Sequence, residues 1–391
     1  ASAASAAADL AEIESIAAGS PDAPSIVNKA NRNGDNVSGS NATAFRTALG
    51  AASTASLAAE TGSSLIGFLQ AGTGAVARTA ASKLQEVISV ADFGALGDGT
   101  DQTTALVAAY TRAKTLAEAG TPVRLVYPFG GDYRTSATLP LPDASEWEVV
   151  GYGHPEITCT GTNIPVHQMI PTASRFGFKI AGLVIKYSVA QPSTNTRSVG
   201  VEFHVTGNLA DGLYDFALDD LRFDNCYRGV AVSAPAIAGA YNFPTWAFTA
   251  NRIRGFSNMS GSVLCLGNFG STGGSPCALI TGFRSQCPNS VEPALRFSRL
   301  SQIVIIAPEI LSHKNRAIQF STCRNPLIQN IRLEFPVIDT LNSEIIVSDS
   351  SEGYVRVDGI EIQTPTISVG GGNFGYVISA FTARIIVSGL I

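Results

Sequence analysis

From about residue 88 onward, apolar and polar residues alternate in short runs, the pattern of strands whose alternate side chains face a core. Beyond residue 178 an apolar–x–apolar triplet recurs, around Leu183, Leu221, Ile253, Phe283, Ile303, Ile331, Ile360 and Ile385. The intervals are irregular but centre on the length expected for one coil of a stacked solenoid. Alternation turns the outer two residues of each triplet inward and the middle one outward. The outward column then reads Val184, Arg222, Arg254, Arg284, Val304, Arg332, Glu361 and Ile386. Turn-rich segments such as "SDSSEG" and "GNFGSTGG" separate the strands. The pattern predicts a mainly β chain wound as a parallel β-helix, with a two-sheet sandwich as the competing reading.

Helical spacing appears once in this region. Leu106, Ala109, Tyr110, Ala113, Leu116 and Ala117 share one face of a helix predicted over about 101–119. Asp101 is its expected N-cap, and Gly120 with Pro122 its stop. A helix here would cover the open edge at the start of the stack. Residues 1–60 have a different texture, rich in Ala, Ser and Asn. Ala3, Ala6, Leu10, Ile13 and Ala17 follow the spacing of a coiled-coil seam. So short a helix holds only within an oligomer, which makes Leu10 and Ile13 candidate subunit contacts. A disordered Ala/Ser tail is the alternative.

Composition narrows the function classes. Charged residues are 15% of the chain, against roughly 25% in an average soluble domain. Such a surface suits a chain that hides much of itself against partner subunits. The net charge of −5 argues against non-specific nucleic-acid binding. The most apolar stretch, 229–250, is broken by Pro235, Gly239, Asn242 and Pro244, so no membrane insertion is expected. No signal peptide is visible, and a start at Ala1 suits a product cut from a longer one. The six cysteines form no C-x-x-C pair and the four histidines are scattered. Unpaired thiols, a reducing site of synthesis and no metal or other cofactor are therefore expected.

The stretch "SVADFGALGDGTDQTTAL" (89–106) crowds aspartates and glycines in the manner of a ligand loop. A phosphate loop would need G-K-[ST] to bring a cation, and Asp98 and Asp101 would repel phosphate. A calcium loop would need alternating oxygen ligands and a final Glu. What the stretch does resemble is the opening motif of pectate-lyase-like β-helix proteins, D-F-G-A-x-G-D-G-x-x-D-[DN]-T. Asp92, Phe93, Gly94, Ala95, Gly97, Asp98, Gly99 and Asp101 match, one loop residue is missing after Gly99, and Gln102 replaces the usual acid or Asn. "VRLVYPFGGDY" (123–133) and "VVGYG" (149–153) resemble the strands that follow in that family.

The lead-in "GSSLIGFLQAGTGAVARTAASKLQEVISVADFGA" (62–95) resembles the neck of bacteriophage tailspike and tail-fibre proteins. Phe45, Arg46, Leu49 and Gly50 resemble a repeated tail-fibre module. The resemblance implies a right-handed, pectin-lyase-like parallel β-helix with an N-terminal capping helix, behind a short helical or extended stalk. It divides the chain into a stalk and particle-proximal linker (1–60), a neck (61–88) and a receptor-binding β-helix (89–391). It also implies a homotrimer in the virion tail, made in the host cytoplasm. Such a protein would join tail or baseplate proteins through its N-terminal segment and hold bacterial surface polysaccharide. Many relatives cleave that polysaccharide; a structural tail connector is the alternative.

The candidate chemistry follows. Arg222, Arg254, Arg284 and Arg332 form an outward strip, read either as a salt-bridged ladder or as a cationic surface for an acidic polysaccharide. Val304 and Ile306 make an outward apolar patch of the kind that marks a subunit interface. Glycan cleavage needs two carboxylates, or a base with a cation. The run "DGLYDFALDDLRFDN" (211–225) supplies Asp219, Asp220 and Asp224, and Glu334 is a further candidate. Read blandly, the run is a turn with a solvated face. Asp219–Asp220 is similar to the double aspartate of polygalacturonases, whose N-T-D and G-H-G motifs are absent.

Overall fold

The computed structural model describes residues 63, 66–69, 71, 73–128, 130–207, 212–233, 245–256, 258–267, 275–311, 317–321, 323, 325–334, 346–348, 354–363, 378–380 and 384–390. The seam at Leu10 and Ile13 and the module at Phe45–Gly50 lie outside the described residues. The chain divides between Gln85 and Glu86. In the first part, Gly67–Phe68 pairs antiparallel with Arg78–Thr79. The short helix Ala80–Leu84 follows, its first turn capped by Thr79 Oγ1, which accepts from the Ser82 N–H at 3.0 Å.

From Glu86 on, every described strand pair is parallel and joins one coil to the next. One coil runs through His167–Met169, Arg175–Phe176, Lys179–Ala181 and Val184–Tyr187. The next repeats it through Val199–His204, Leu213–Tyr214, Ala217–Asp219 and Arg222–Asp224. The register holds along the coil, with His167 opposite Val201, Phe176 opposite Tyr214, Ile180 opposite Leu218 and Ile185 opposite Phe223. Stacked in this way, the described strands form three sheets, of 19, nine and three strands. The fold is therefore a parallel β-helix, and the sandwich reading is set aside.

In seven successive coils the long sheet turns a corner through one residue of positive φ. The column is Gly182 (70°), Asp220 (50°), Arg252 (55°), Gly282 (59°), Ala307 (49°), Asn330 (52°) and Gly359 (78°). A single left-handed residue bends the strand sharply without ending the stack. Gly, Asn and Asp tolerate it, while Arg252 and Ala307 each cost about 1–2 kcal/mol that the stack must offset.

The register corrects two of the eight triplets. Arg284 lies opposite Glu309, which lies opposite Arg332, so Val304 does not belong to the arginine column. Val304 sits on the strand before the corner, between Leu279 and Leu327. Ile386 likewise lies opposite Arg356, not Glu361. Both arms of the corner carry the same two-residue alternation, so the pattern alone cannot tell one arm from the other. Pro308, where an apolar inward residue was expected, hid the true strand Glu309–Leu311.

Alternation also builds two aromatic stacks back to back. Inside, Trp147, Phe178, Phe216 and Phe248 stack at centroid distances of 5.0, 4.8 and 5.2 Å. Outside, Phe176, Tyr214 and Trp246 stack at 5.4 and 5.0 Å. Such pairs add about 0.5–1.5 kcal/mol each beyond area burial.

The helix spans Thr103–Glu118 and buries Leu106, Ala109, Tyr110, Ala113 and Ala117 against the first coils. Its N-cap position is Gln102 rather than Asp101. Asp101 still serves the first turn, accepting from the Thr103 N–H at 3.0 Å. Gln102 turns back into the loop, donating to Asp98 Oδ1 at 2.6 Å and accepting from the Gly97 N–H at 3.2 Å. Hydrogen bonds from Thr100, then Gln102, hold the Asp98 carboxyl below its usual range. Gly97 has a φ of 67°, and a Cβ there would meet the Tyr133 ring at 2.8 Å. The aspartates and glycines of this loop are thus folding parts.

Beneath the helix lies a sealed relay. The His167 Nδ1–H donates to Gly200 O at 3.4 Å, which leaves Nε2 to accept from the Tyr110 hydroxyl at 2.8 Å. The Tyr127 hydroxyl donates in turn to Tyr110 at 3.0 Å. Burial lowers the His167 pKa to about 4. Cys159, Cys226, Cys265 and Cys287 are buried thiols, and burial pushes those of Cys159 and Cys287 up to about 11.

Candidate functional site

The corner column carries a notch. Gly182 stands between the coil of His154 and the coil of Asp220 and offers no side chain. A Cβ at Gly182 would lie 2.3 Å from Gly151 O, so only glycine fits. Across this bare rung His154 reaches Asp220, with Nε2 at 2.8 Å from Oδ2. The two backbones are two coils apart, about 10 Å at the usual strand spacing. His154 itself is lifted out of the corner by a φ of 59°.

Three cations lie at the notch and a fourth on the next coil. Arg222 Nη2 lies 3.2 Å from His154 Nε2. Arg252 donates to Asp219 Oδ1 at 3.0 Å and sets its Nε 3.8 Å from Asp220 Oδ2. Lys179 Nζ is 3.8 Å from Asp219 Oδ2. Arg254 lies opposite Arg222 on the next coil, and among the described residues no hydrogen bond or ion pair holds it. Nε2 of His154 has one position to offer. An ionised Asp220 at 2.8 Å favours the N–H there, and Arg222 is then left beside the ring without a lone pair to bond. Among the described residues Asp220 Oδ1 and Arg222 Nε are buried with no hydrogen bond, a state shared by the Nε of Arg332 four coils further on. Unsatisfied buried groups are costly and point to a water, ion or ligand that completes the site. Nδ1 of His154 has no partner among the described residues, and the side chain is 32% exposed.

The expected site residues do not all meet. Asp219, Asp220 and Arg222 share one coil and join the notch. Asp219 is engaged, because Asn251 donates to Oδ1 at 2.9 Å beside the Arg252 contact. Asp224 lies on the strand after the corner and accepts the Asn225 N–H at 2.9 Å. Glu334 is four coils further on, opposite Leu311, roughly 19 Å along the axis. The four acids are therefore not one catalytic group. The arginine strip also divides. Glu309 takes the expected place of Val304 and sits 3.6 Å from Arg284 and 3.8 Å from Arg332. That half is a salt-bridged ladder; Arg222 and Arg254 are not part of it.

Sequence reasoning missed His154, Arg252, Asn251 and Lys179. His154 had a signal in "GYGHP", whose glycine and proline mark a sharp turn that exposes the residue between them. A second charged cluster is closed: Arg228 donates to Glu292 at 2.7 Å and Tyr227 donates at 2.9 Å. Burial would raise the Glu292 pKa, but Arg228 overrides it and brings it to about 2. Among the described residues no group of three or more His, Cys, Asp or Glu is placed to hold a metal, and no helix is long and apolar enough to cross a membrane.

No family model matches the chain, and no curated protein matches it by sequence. Similar solved structures do exist. A glycan biofilm modifying enzyme of Pantoea stewartii, WceF, described as having a bacteriophage tailspike-like parallel β-helix fold, is 14% identical. The match has a TM-score of 0.50 and covers 82% of this chain and 45% of WceF. Tailspike protein 3 of bacteriophage CBA120 is 13% identical at a TM-score of 0.36, over 89% of this chain and 64% of that one. The tailspike of Escherichia coli bacteriophage HK620 is 11% identical at 0.35, over 86% and 71%. The chain thus spans less than two thirds of the first two. The class defined is architectural: a parallel β-helix of the tailspike type.

Proposed function

We propose that this chain is the receptor-binding part of a bacteriophage tail, and that its β-helix holds an acidic polysaccharide of the bacterial surface. The observation that carries the reading is the under-satisfied pair Arg222 and Arg254 on the outside of a tailspike-type β-helix. Cations without internal partners suit an anionic ligand that supplies the missing hydrogen bonds. The fold likeness to WceF supports a glycan over other anions.

The reading includes a homotrimer in the virion, joined to the tail through the N-terminal segment. Leu279, Val304 and Leu327 form an outward apolar column on consecutive coils, with Ile306 beside it. Leu279 is 41% exposed in the single chain. A second subunit would remove that column from water.

Labelled protein should bind intact host cells and their isolated surface polysaccharide. Arg222→Gln with Arg254→Gln should weaken that binding about tenfold or more with unchanged melting. Val304→Glu with Ile306→Glu should yield a smaller species on size exclusion. Clearing of host lawns by purified protein would add depolymerisation; absence of both clearing and binding would favour the structural connector.

A further inference from the structure

We propose that the notch is a proton-linked anion site, in which His154 takes up a proton as an anionic ligand draws Arg222 away from it. This rests on the polyanion reading above and adds regulation to it. No bond of the ligand changes.

One nitrogen faces two opposed groups. Nε2 of His154 is 2.8 Å from Asp220 Oδ2 and 3.2 Å from Arg222 Nη2. The carboxylate draws a proton to the ring and the guanidinium repels it. Both act on the same atom, so removing either one tips the ring. An anion that binds Arg222 neutralises the repelling partner and leaves Asp220 in place. The ring then gains a second proton more readily. By linkage the converse holds: a proton on His154 strengthens anion binding by the same factor.

The surrounding charges fix the sign. Asp219 and Asp220 share the coil of Arg222. Arg252 lies 3.8 Å from Asp220 Oδ2, and Lys179 lies 3.8 Å from Asp219 Oδ2. On the strand after His154, Glu156 is paired with Lys186, and Tyr152 on its own turn bonds Arg124. Val184, between Glu156 and Arg222 in the stack, adds no charge. Counted with Arg254 on the next coil, four bases stand against the two acids Asp219 and Asp220. The notch is therefore cationic with a neutral His154 and more cationic with a charged one. His167 is sealed with both nitrogens bonded, and His204 lies beside Glu202 on the nine-stranded sheet. Among the described histidines, only His154 touches this site.

Dextran sulfate is the probe, because its charge is constant between about pH 5 and 8, where an imidazole changes charge. The full chain should bind it about tenfold more tightly at the acid end of that range than at the alkaline end. Calorimetry in buffers of different ionisation heat should show proton uptake on binding at about pH 6.5. His154→Gln should flatten the pH profile and abolish the uptake. Arg222→Gln should lower affinity and flatten the profile as well, because the opposing partner is gone. Arg254→Gln should lower affinity and keep the slope, which separates coupling through Arg222 from a general gain of positive charge. An affinity independent of pH, binding without proton uptake, a slope that survives in folded His154→Gln, or a profile flattened by Arg254→Gln would each overturn the proposal. If dextran sulfate is ignored at every pH, the proposal fails. Binding of the isolated host polysaccharide then decides separately whether the receptor reading stands.

Discussion

His154 and His167 sit close in sequence and in opposite circumstances. His167 lies under the capping helix with both ring nitrogens bonded and no exposed surface. His154 stands at the notch with one nitrogen held by Asp220 and the other open. The first ring is satisfied by one tyrosine and a carbonyl that the fold itself supplies; the second has a nitrogen that no described residue bonds. The arginines repeat the contrast on one outward column. Arg284 and Arg332 share Glu309, whereas Arg222 and Arg254 have no carboxylate between them. Residue type does not separate paired from open side chains on this surface. The occupant of the next coil does.

The strongest way to break the comparison is to fill the notch. Gly182→Ala forces a side chain into a left-handed corner and against Gly151 O. Strain and displacement together should cost about 3–4 kcal/mol in urea denaturation, and His154 should lose its route to Asp220. Acid sharpens the other side. Unfolded, the His167 ring titrates near 6.5; folded, it titrates near 4. Between those values the unfolded chain binds a proton that the folded chain refuses. Stability should therefore fall by about 3 kcal/mol as pH drops from about 6.5 to 4, then level off. Tyr110→Phe removes the donor to His167 and the acceptor for Tyr127, and should cost about 2 kcal/mol at neutral pH.

Much of this fold was legible because its signals are local and periodic. The opening loop, the amphipathic face of the helix and the alternation of strands such as Leu221–Phe223 each follow from a short window of sequence. The register was legible only where an arm of the corner carried a distinctive residue. It slipped at Ile303, where "IVII" and "EIL" offer the same alternation and Pro308 masks the second. The notch was harder still. Asp220 and Arg222 were visible as charges, but His154 reaches them across two coils and a bare Gly182. That contact depends on how many residues each intervening coil contains, and those lengths vary from coil to coil. Glu334 was grouped with Asp219 and Asp220 by chemistry alone, and the stack sets it four coils away.

The finest test asks whether Glu309 alone makes the second half of the arginine column inert. Glu309→Gln keeps the shape of the side chain and removes the charge shared by Arg284 and Arg332. The pairs are 3.6 and 3.8 Å long and partly exposed, so the loss of stability should stay under about 1 kcal/mol. Arg284 would then be released toward solvent, extending the free strip from two to three. Affinity for an anionic polysaccharide at low ionic strength should rise about threefold, and the gain should shrink as salt screens it. Arg254→Gln in the same background should lower affinity less than it does in the wild-type chain, because neighbouring cations now share the ligand. An unchanged affinity in Glu309→Gln would mean that position along the β-helix, not pairing, separates the two halves. The site would then be defined by the shape of the notch rather than by its unpaired charge.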